Sequence, residues 1–209
     1  MKKIIITAIA LVFILSNFSF TADETEKKVI KSAQDNLQNS LLKIPAGHEK
    51  DFGFKNREEF ALCTVGSPYR VITFTKDFYE GEMVANKKYI VLQNEWRIPV
   101  MVNGQNRILL TINANSDNYN VVDMGGAALA KELQQRNNAG NHCYILRVYP
   151  LACDFLVVAE APAFTDVQCI PMTSAIKAIP SLTSNSKSFY SLSEAIQIIK
   201  NELKNQSKN

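Results

Sequence analysis

Between Trp96 and Ile112 the chain alternates apolar and polar residues on both sides of an Asn-Gly pair. No other stretch limits the fold as much. Trp96, Ile98, Val100 and Val102 alternate with Arg97, Pro99, Met101 and Asn103. Beyond the pair, Ile108, Leu110 and Ile112 alternate with Arg107, Leu109 and Thr111. A period of two sends successive side chains to opposite faces of a strand, so the stretch predicts a β-hairpin with one buried face. Register follows from the match of apolar residues. A two-residue Asn103-Gly104 loop sets Val100 opposite Arg107 and puts a charge on the buried face. A three-residue loop, Asn103 to Gln105, pairs Val100 with Ile108, Ile98 with Leu110 and Trp96 with Ile112. A one-residue slip turns every side chain to the other face, so the apolar match selects the three-residue loop. Pro99 has no N–H to give a ladder, so its N–H side should meet an open edge or a gap in pairing.

Further elements surround this hairpin. Val29, Ala33, Leu37 and Leu41 recur every fourth residue, and Asp23 with Glu26 resembles a capping box. The expectation is an amphipathic helix from Glu24 to Lys43, ended by Pro45 and Gly47. A short helix is expected over Asn56–Cys63. Strands are expected at Tyr69–Thr75, Tyr89–Leu92, Tyr119–Asp123, Cys143–Tyr149 and Phe155–Glu160. Lys76–Asn86, Asn113–Asn118 and Asn137–Asn141 read as polar loops or turns. Gly125-Gly126 leads into a helix over Ala127–Gln135 (about 127–135). Pro171–Pro180 has room for one helical turn. Ser191 with Glu194 is a second capping box, and Leu192, Ala195, Ile196, Ile199 and Leu203 form the stripe of a C-terminal helix. The fold class that follows is α+β: an antiparallel sheet of about five to seven strands with an N-terminal, a mid-domain and a C-terminal helix.

The first residues read as an export signal. Lys2 and Lys3 precede an apolar run from Ile4 to Leu15 broken only by Thr7, too short for a spanning helix of ~20 residues. Ser19 and Thr21 are small residues at the minus-three and minus-one positions of a cleavage after Thr21. An uncleaved anchor lengthened by Phe18 and Phe20 is the alternative. The organisation expected is residues 1–21 as signal peptide, 22–180 as one domain, 181–190 as a Ser/Asn-rich linker and 191–209 as C-terminal helix and polar tail. Localisation is then secreted or periplasmic, with no stable membrane span after cleavage. Cleavage removes two lysines and no acids, leaving 21 basic against 20 acidic residues. With that balance nucleic acid finds no electrostatic footprint. The hydrophobic share of 46% suits a globular domain rather than a disordered tail.

Cys63, Cys143, Cys153 and Cys169 form no CxxC motif. An oxidising compartment makes them disulfide candidates. Hairpin geometry separates Cys143 from Cys153 and suggests Cys143–Cys169, leaving Cys63–Cys153. Free buried cysteines are the alternative. His142 and Cys143, adjacent on a strand, point to opposite faces and do not make a nucleophilic pair. His48 lies in a Gly-containing turn beside Glu49 and Asp51. Asn113, Asn115 and Asp117 alternate as the first ligands of a calcium loop do. The sixth position is Asn118 rather than Gly and the twelfth is Met124 rather than Glu, so the pattern is incomplete and a hairpin turn is the simpler reading. Gly125-Gly126 lacks a phosphate-binding motif and reads as a tight turn. Asp123, Asp154 and Glu160 are the scattered acids from which a hydrolytic pair would have to come. Trp96, by its companions Ile98 and Val100, reads as core.

No catalytic residue, cofactor or metal is assigned. The reading is an exported, non-catalytic binding or interaction module with a protein or peptide partner, its Pro-containing strand leaving an edge for strand addition. The alternatives are a small secreted hydrolase using carboxylates or a Cys/His pair, and an inhibitor or pro-segment-like partner of a secreted enzyme.

Overall fold

A computed structural model describes residues 24–80, 89–116, 118–136, 142–159, 167–185 and 187–207. The expected signal segment 1–21, Asp23, the expected loop at 137–141, Asp117 and Glu160 lie outside the described residues. The chain builds one mixed sheet with helices on both faces. Helix α1 covers residues 24–41. Strands β1 (Cys63–Val65), β2 (Tyr69–Phe74), β3 (Ile90–Val102), β4 (Gln105–Asn115) and β5 (Asn118–Gly125) follow. Helix α2 (Lys76–Glu80) lies between β2 and β3. Helix α3 (Ala127–Arg136) leads to β6 (His142–Val148) and β7 (Cys153–Ala159). Strand β8 (Gln168–Pro171), helices α4 (Thr173–Ala178) and α5 (Pro180–Asn185), strand β9 (Tyr190–Ser191) and helix α6 (Leu192–Gln206) complete the order.

Among the described residues the sheet has nine strands, not five to seven. Its order is β5-β4-β3-β2-β6-β7-β8-β9, with β1 also paired to β3. The two strands expected at 89–92 and 96–102 are one, β3, whereas β1, β8 and β9 were not expected. Those three are two to four residues long. Periodicity cannot declare itself over so short a run. Two stretches expected as loop or linker carry helix: α2 lies within 76–86, and α5 (Pro180–Asn185) runs into 181–190. Every pairing is antiparallel except β2 with β6. The sheet is therefore two antiparallel runs joined at a parallel seam.

The hairpin settles its own conflict. Val100 pairs with Ile108, Ile98 with Leu110 and Trp96 with Ile112, as the apolar match requires. Yet the loop is the two-residue Asn103-Gly104, with φ of 52° and 74°, the left-handed pair of a type I′ turn. A β-bulge between Val100 and Met101 reconciles the two, because Met101 pairs with Asn106 and Arg107 is left as the extra residue. The expected three-residue loop is thereby corrected. Pro99 meets the gap foreseen for it. Its carbonyl accepts from Gly66 N at 2.8 Å, where the chain breaks between β1 and β2. Its strand is central rather than an edge, so strand addition there is closed.

Faces follow from register. On the front, Trp96, Ile98, Val100, Ile108, Leu110 and Ile112 pack against Val29, Ala33, Leu37 and Leu41 of α1. Also on the front, Ile72, Leu146, Phe155 and Val157 pack against Ala195, Ile196 and Ile199 of α6. The back carries Tyr69, Leu109, Ile145 and Leu156, covered by Ala130 and Leu133 of α3. Ser191 and Glu194 form the expected capping box at the start of α6.

Candidate functional site

The residues singled out in the sequence do not converge. Cys143 stands opposite Val158 and Cys169 opposite Val157. Consecutive residues of β7 face opposite ways, so the two thiols lie on opposite faces of the sheet. Cys63 is level with Val102, six residues beyond Trp96 on β3. Cys153 is level with Val148, four residues the other way from Tyr144 on β6. At ~3.3 Å per residue the two are roughly 30 Å apart, and a disulfide needs ~7 Å or less between Cα atoms. Both expected disulfides are therefore corrected, and all four cysteines are free. Burial pushes the Cys63 thiol up to about 11 and those of Cys153 and Cys169 up to about 12, and raises Cys143 as well. All four are protonated near neutral pH, and a protonated thiol is a poor nucleophile.

His48 sits on the exposed turn before a 3-10 segment (Glu49–Phe52), its Nδ1 2.9 Å from Asp51 Oδ2. His142 lies on β6 opposite Ala159. Asp123 and Asp154 are on β5 and β7, five strand spacings apart or ~24 Å, far beyond the ~5–9.5 Å of a glycosidase pair. Asp154 is instead buried on Arg147, at 2.7 Å. Asn113 and Asn115, expected in a turn, belong to the β4–β5 ladder opposite Asn120 and Asn118, and Asn115 Oδ1 accepts from Asn94. Asp117, the third calcium candidate, is not among the described residues. Among those residues no group of three or more His, Cys, Asp or Glu is placed to hold a metal, and no helix is long and apolar enough to cross a membrane.

A concave site does exist, at residues the sequence did not nominate. Gly53, Gln105, Asn106, Arg107, Ala127 and Lys131 line a cleft of about 690 Å³, closed at one side by Gln134 and Gln135. Three segments make it: the turn ending at Gly53, the bulged start of β4, and the first turns of α3. Gly53 is left-handed at φ 79°, and a Cβ there would lie 2.8 Å from the Arg107 carbonyl oxygen and 3.3 Å from Ala127 Cβ. Only glycine permits that approach. Arg107 turns its guanidinium to Glu59 at 2.9 Å, with both side chains largely buried. Helix α3 is tied to the hairpin by Gln134, which donates to Gly104 O at 2.8 Å and accepts from Asn106 N at 2.8 Å. Asn106 in turn donates to Ala130 O at 3.0 Å. Gly126, at φ 67°, begins α3 and accepts from Ala130 N. The glycine pair read as a tight turn is thus the helix entry beside the cleft.

The cleft leaves binding groups unengaged. Lys131 and Gln135 are exposed and have no partner among the described residues. The first N–H groups of any α-helix lack intrahelical acceptors, and Ala127 and Ala128 at the start of α3 line the cleft. The Arg107–Glu59 pair is internally neutral, so Lys131 sets the local sign as positive. Amides and one amine can bind and orient a polar solute. The sequence carried a one-residue disagreement between the Asn-Gly turn and the apolar match, but a three-residue loop satisfies it as well as a bulge does, so Arg107 was not singled out.

No protein family model matches the chain, and neither a curated protein nor a solved structure matches it.

Proposed function

We propose that the chain is an exported, non-catalytic binding module and that the cleft between the β4 bulge and α3 seats its ligand. The observation that carries this reading is the convergence of three chain segments on a cleft of about 690 Å³ with Lys131 and Gln135 unengaged. A cleft of that volume suits a small molecule. Its exposed wall is largely apolar, with side-chain amides and the Lys131 amine among its lining residues, which favours a small amphipathic solute carrying hydrogen-bond acceptors and negative charge. The rigid backbone contact at Gly53 and the ties through Gln134 support a preformed seat, which lowers the entropic cost of binding. Export is supported by the basic start and apolar run of residues 2–15.

The test is amide-shift mapping on the isotope-labelled chain beginning at Ala22, titrated with a panel of neutral and anionic polar fragments. Anionic fragments should shift Gly53, Ala127 and Ala128, and Lys131→Glu should abolish the effect. Shifts centred away from the cleft, or none at all, would refute the assignment. Export is checked by N-terminal sequencing of envelope material, where a start at Ala22 is expected and an intact Met1 in the cytosol contradicts it.

A further inference from the structure

A second feature lies on the opposite face, at the parallel seam. One cross-strand row of the front face runs through Ile112, Trp96, Arg70, Tyr144, Val157 and Cys169 on six neighbouring strands. Arg70 is its single charge. Trp96 belongs to the cluster under α1, Val157 and Cys169 to the cluster under α6, and Tyr144 packs at the margin of the latter. Arg70 falls between the two helix-covered halves and is half-buried.

The chain has six arginines. Arg57, Arg97, Arg107, Arg136 and Arg147 each have a carboxylate within ion-pair range. Arg70 has none among the described residues. Its Nε donates to Gln93 O at 3.1 Å, and its guanidinium lies 5.4 Å from the centre of the Trp96 ring. Neither terminal nitrogen has a protein acceptor there. Burial lowers its pKa from the ordinary guanidinium value, the direction expected of a charge deprived of water without a counter-ion. Taking a cation out of water without pairing it is unfavourable, and a planar guanidinium backed by an indole offers its remaining N–H groups in the fork that a carboxylate fits.

We infer that Arg70 anchors a second binding site, which takes the carboxylate of an organic ligand against Trp96 in the seam between α1 and α6. One guanidinium, with the Glu26 carboxylate acting on the neighbouring Tyr144, matches a monoanion better than a phosphate dianion. The carboxylate of a small aromatic acid and that of a peptide C-terminus share this chemistry.

Trp96 is the only tryptophan, so its fluorescence reports on the site directly. The chain is titrated at constant ionic strength with hippurate, with N-acetyl-dialanine, and with the neutral amide of hippurate. A saturable fluorescence change is expected with at least one acid and none with the amide. The acid that binds more tightly identifies the source. Arg70→Gln should weaken it about tenfold or more, the scale of a charge-assisted pair. Arg70→Lys, which keeps the charge and the fold, should weaken it several-fold. Lys131→Ala should leave it unchanged, separating this site from the cleft. The inference is overturned if neither acid gives saturable binding, if the amide binds as the acid does, or if both Arg70 variants bind like the parent.

Discussion

Gly53 and the backbone of Arg107 show how main-chain geometry builds a site. The glycine is required twice, by its left-handed backbone and by the 2.8 Å that separates a notional Cβ from the Arg107 carbonyl. Gly53→Ala should therefore cost about 2 kcal/mol or more, combining the conformational penalty with overpacking. Urea unfolding checks this. An unchanged midpoint would mean that the turn relaxes and the cleft wall is soft. By contrast Gly47 is equally left-handed, but nothing lies within 4 Å of its notional Cβ. Ala there should cost less, since only the backbone term remains. The sequence shows Gly47 after Pro45-Ala46 and Gly53 after Asp51-Phe52, and neither context reveals what lies beside the glycine. The difference lies in what the fold brings alongside.

Helix α6 illustrates how an element is specified and how its docking depends on pH. Its stripe places Ala195, Ile196 and Ile199 in the core, and Ser191 accepts from Glu194 N while the Glu194 side chain accepts from Ser191 N. The Lys187 ammonium at 2.8 Å, together with the Ser191 bonds, holds the Glu194 carboxyl down at about 2. A carboxyl whose folded value is depressed stabilises the fold above its ordinary value of ~4.3, and that contribution is lost as pH falls toward about 2. The thermal midpoint should therefore drop across this acid window, and Glu194→Gln should flatten the drop. An identical acid limb in the variant would show that other carboxylates carry it. Ser191→Ala should lower stability by about 1 kcal/mol, as loss of an N-cap does. Here the capping box and the stripe were legible because both are local patterns. Lys200 was not. It is 5% exposed, its Nζ has no hydrogen bond, and it lies 4.8 Å from the Phe78 ring centre and 5.5 Å from that of Tyr89. An amphipathic reading puts lysine on the wet side, and only the aromatic cluster of α2 explains its burial.

Across the whole molecule, the four thiols are distributed over both faces and both ends of one continuous sheet. Cys153 and Cys169 are fully buried, so a thiol reagent reaches them through unfolding of the core rather than through a local opening. Denatured without reductant, the protein should titrate four thiols. In the native state Cys153 and Cys169 should react no faster than the sheet unfolds, whereas a count below four would reveal a crosslink and overturn the register that separates them. The mixing of helices with a large sheet, the long hairpin with its apolar register, and the helices at 24–41, 127–136 and 192–206 were determined by the sequence alone, because each is written as a period of two or 3.6 over enough residues to be read; the nine strands were not. The seam between β2 and β6, the three short strands, the bulge that frees Arg107 and the isolation of Arg70 were decided only by tertiary structure. Those features arise from strands distant in the chain meeting side by side, and pairing partners leave no periodic trace in either strand.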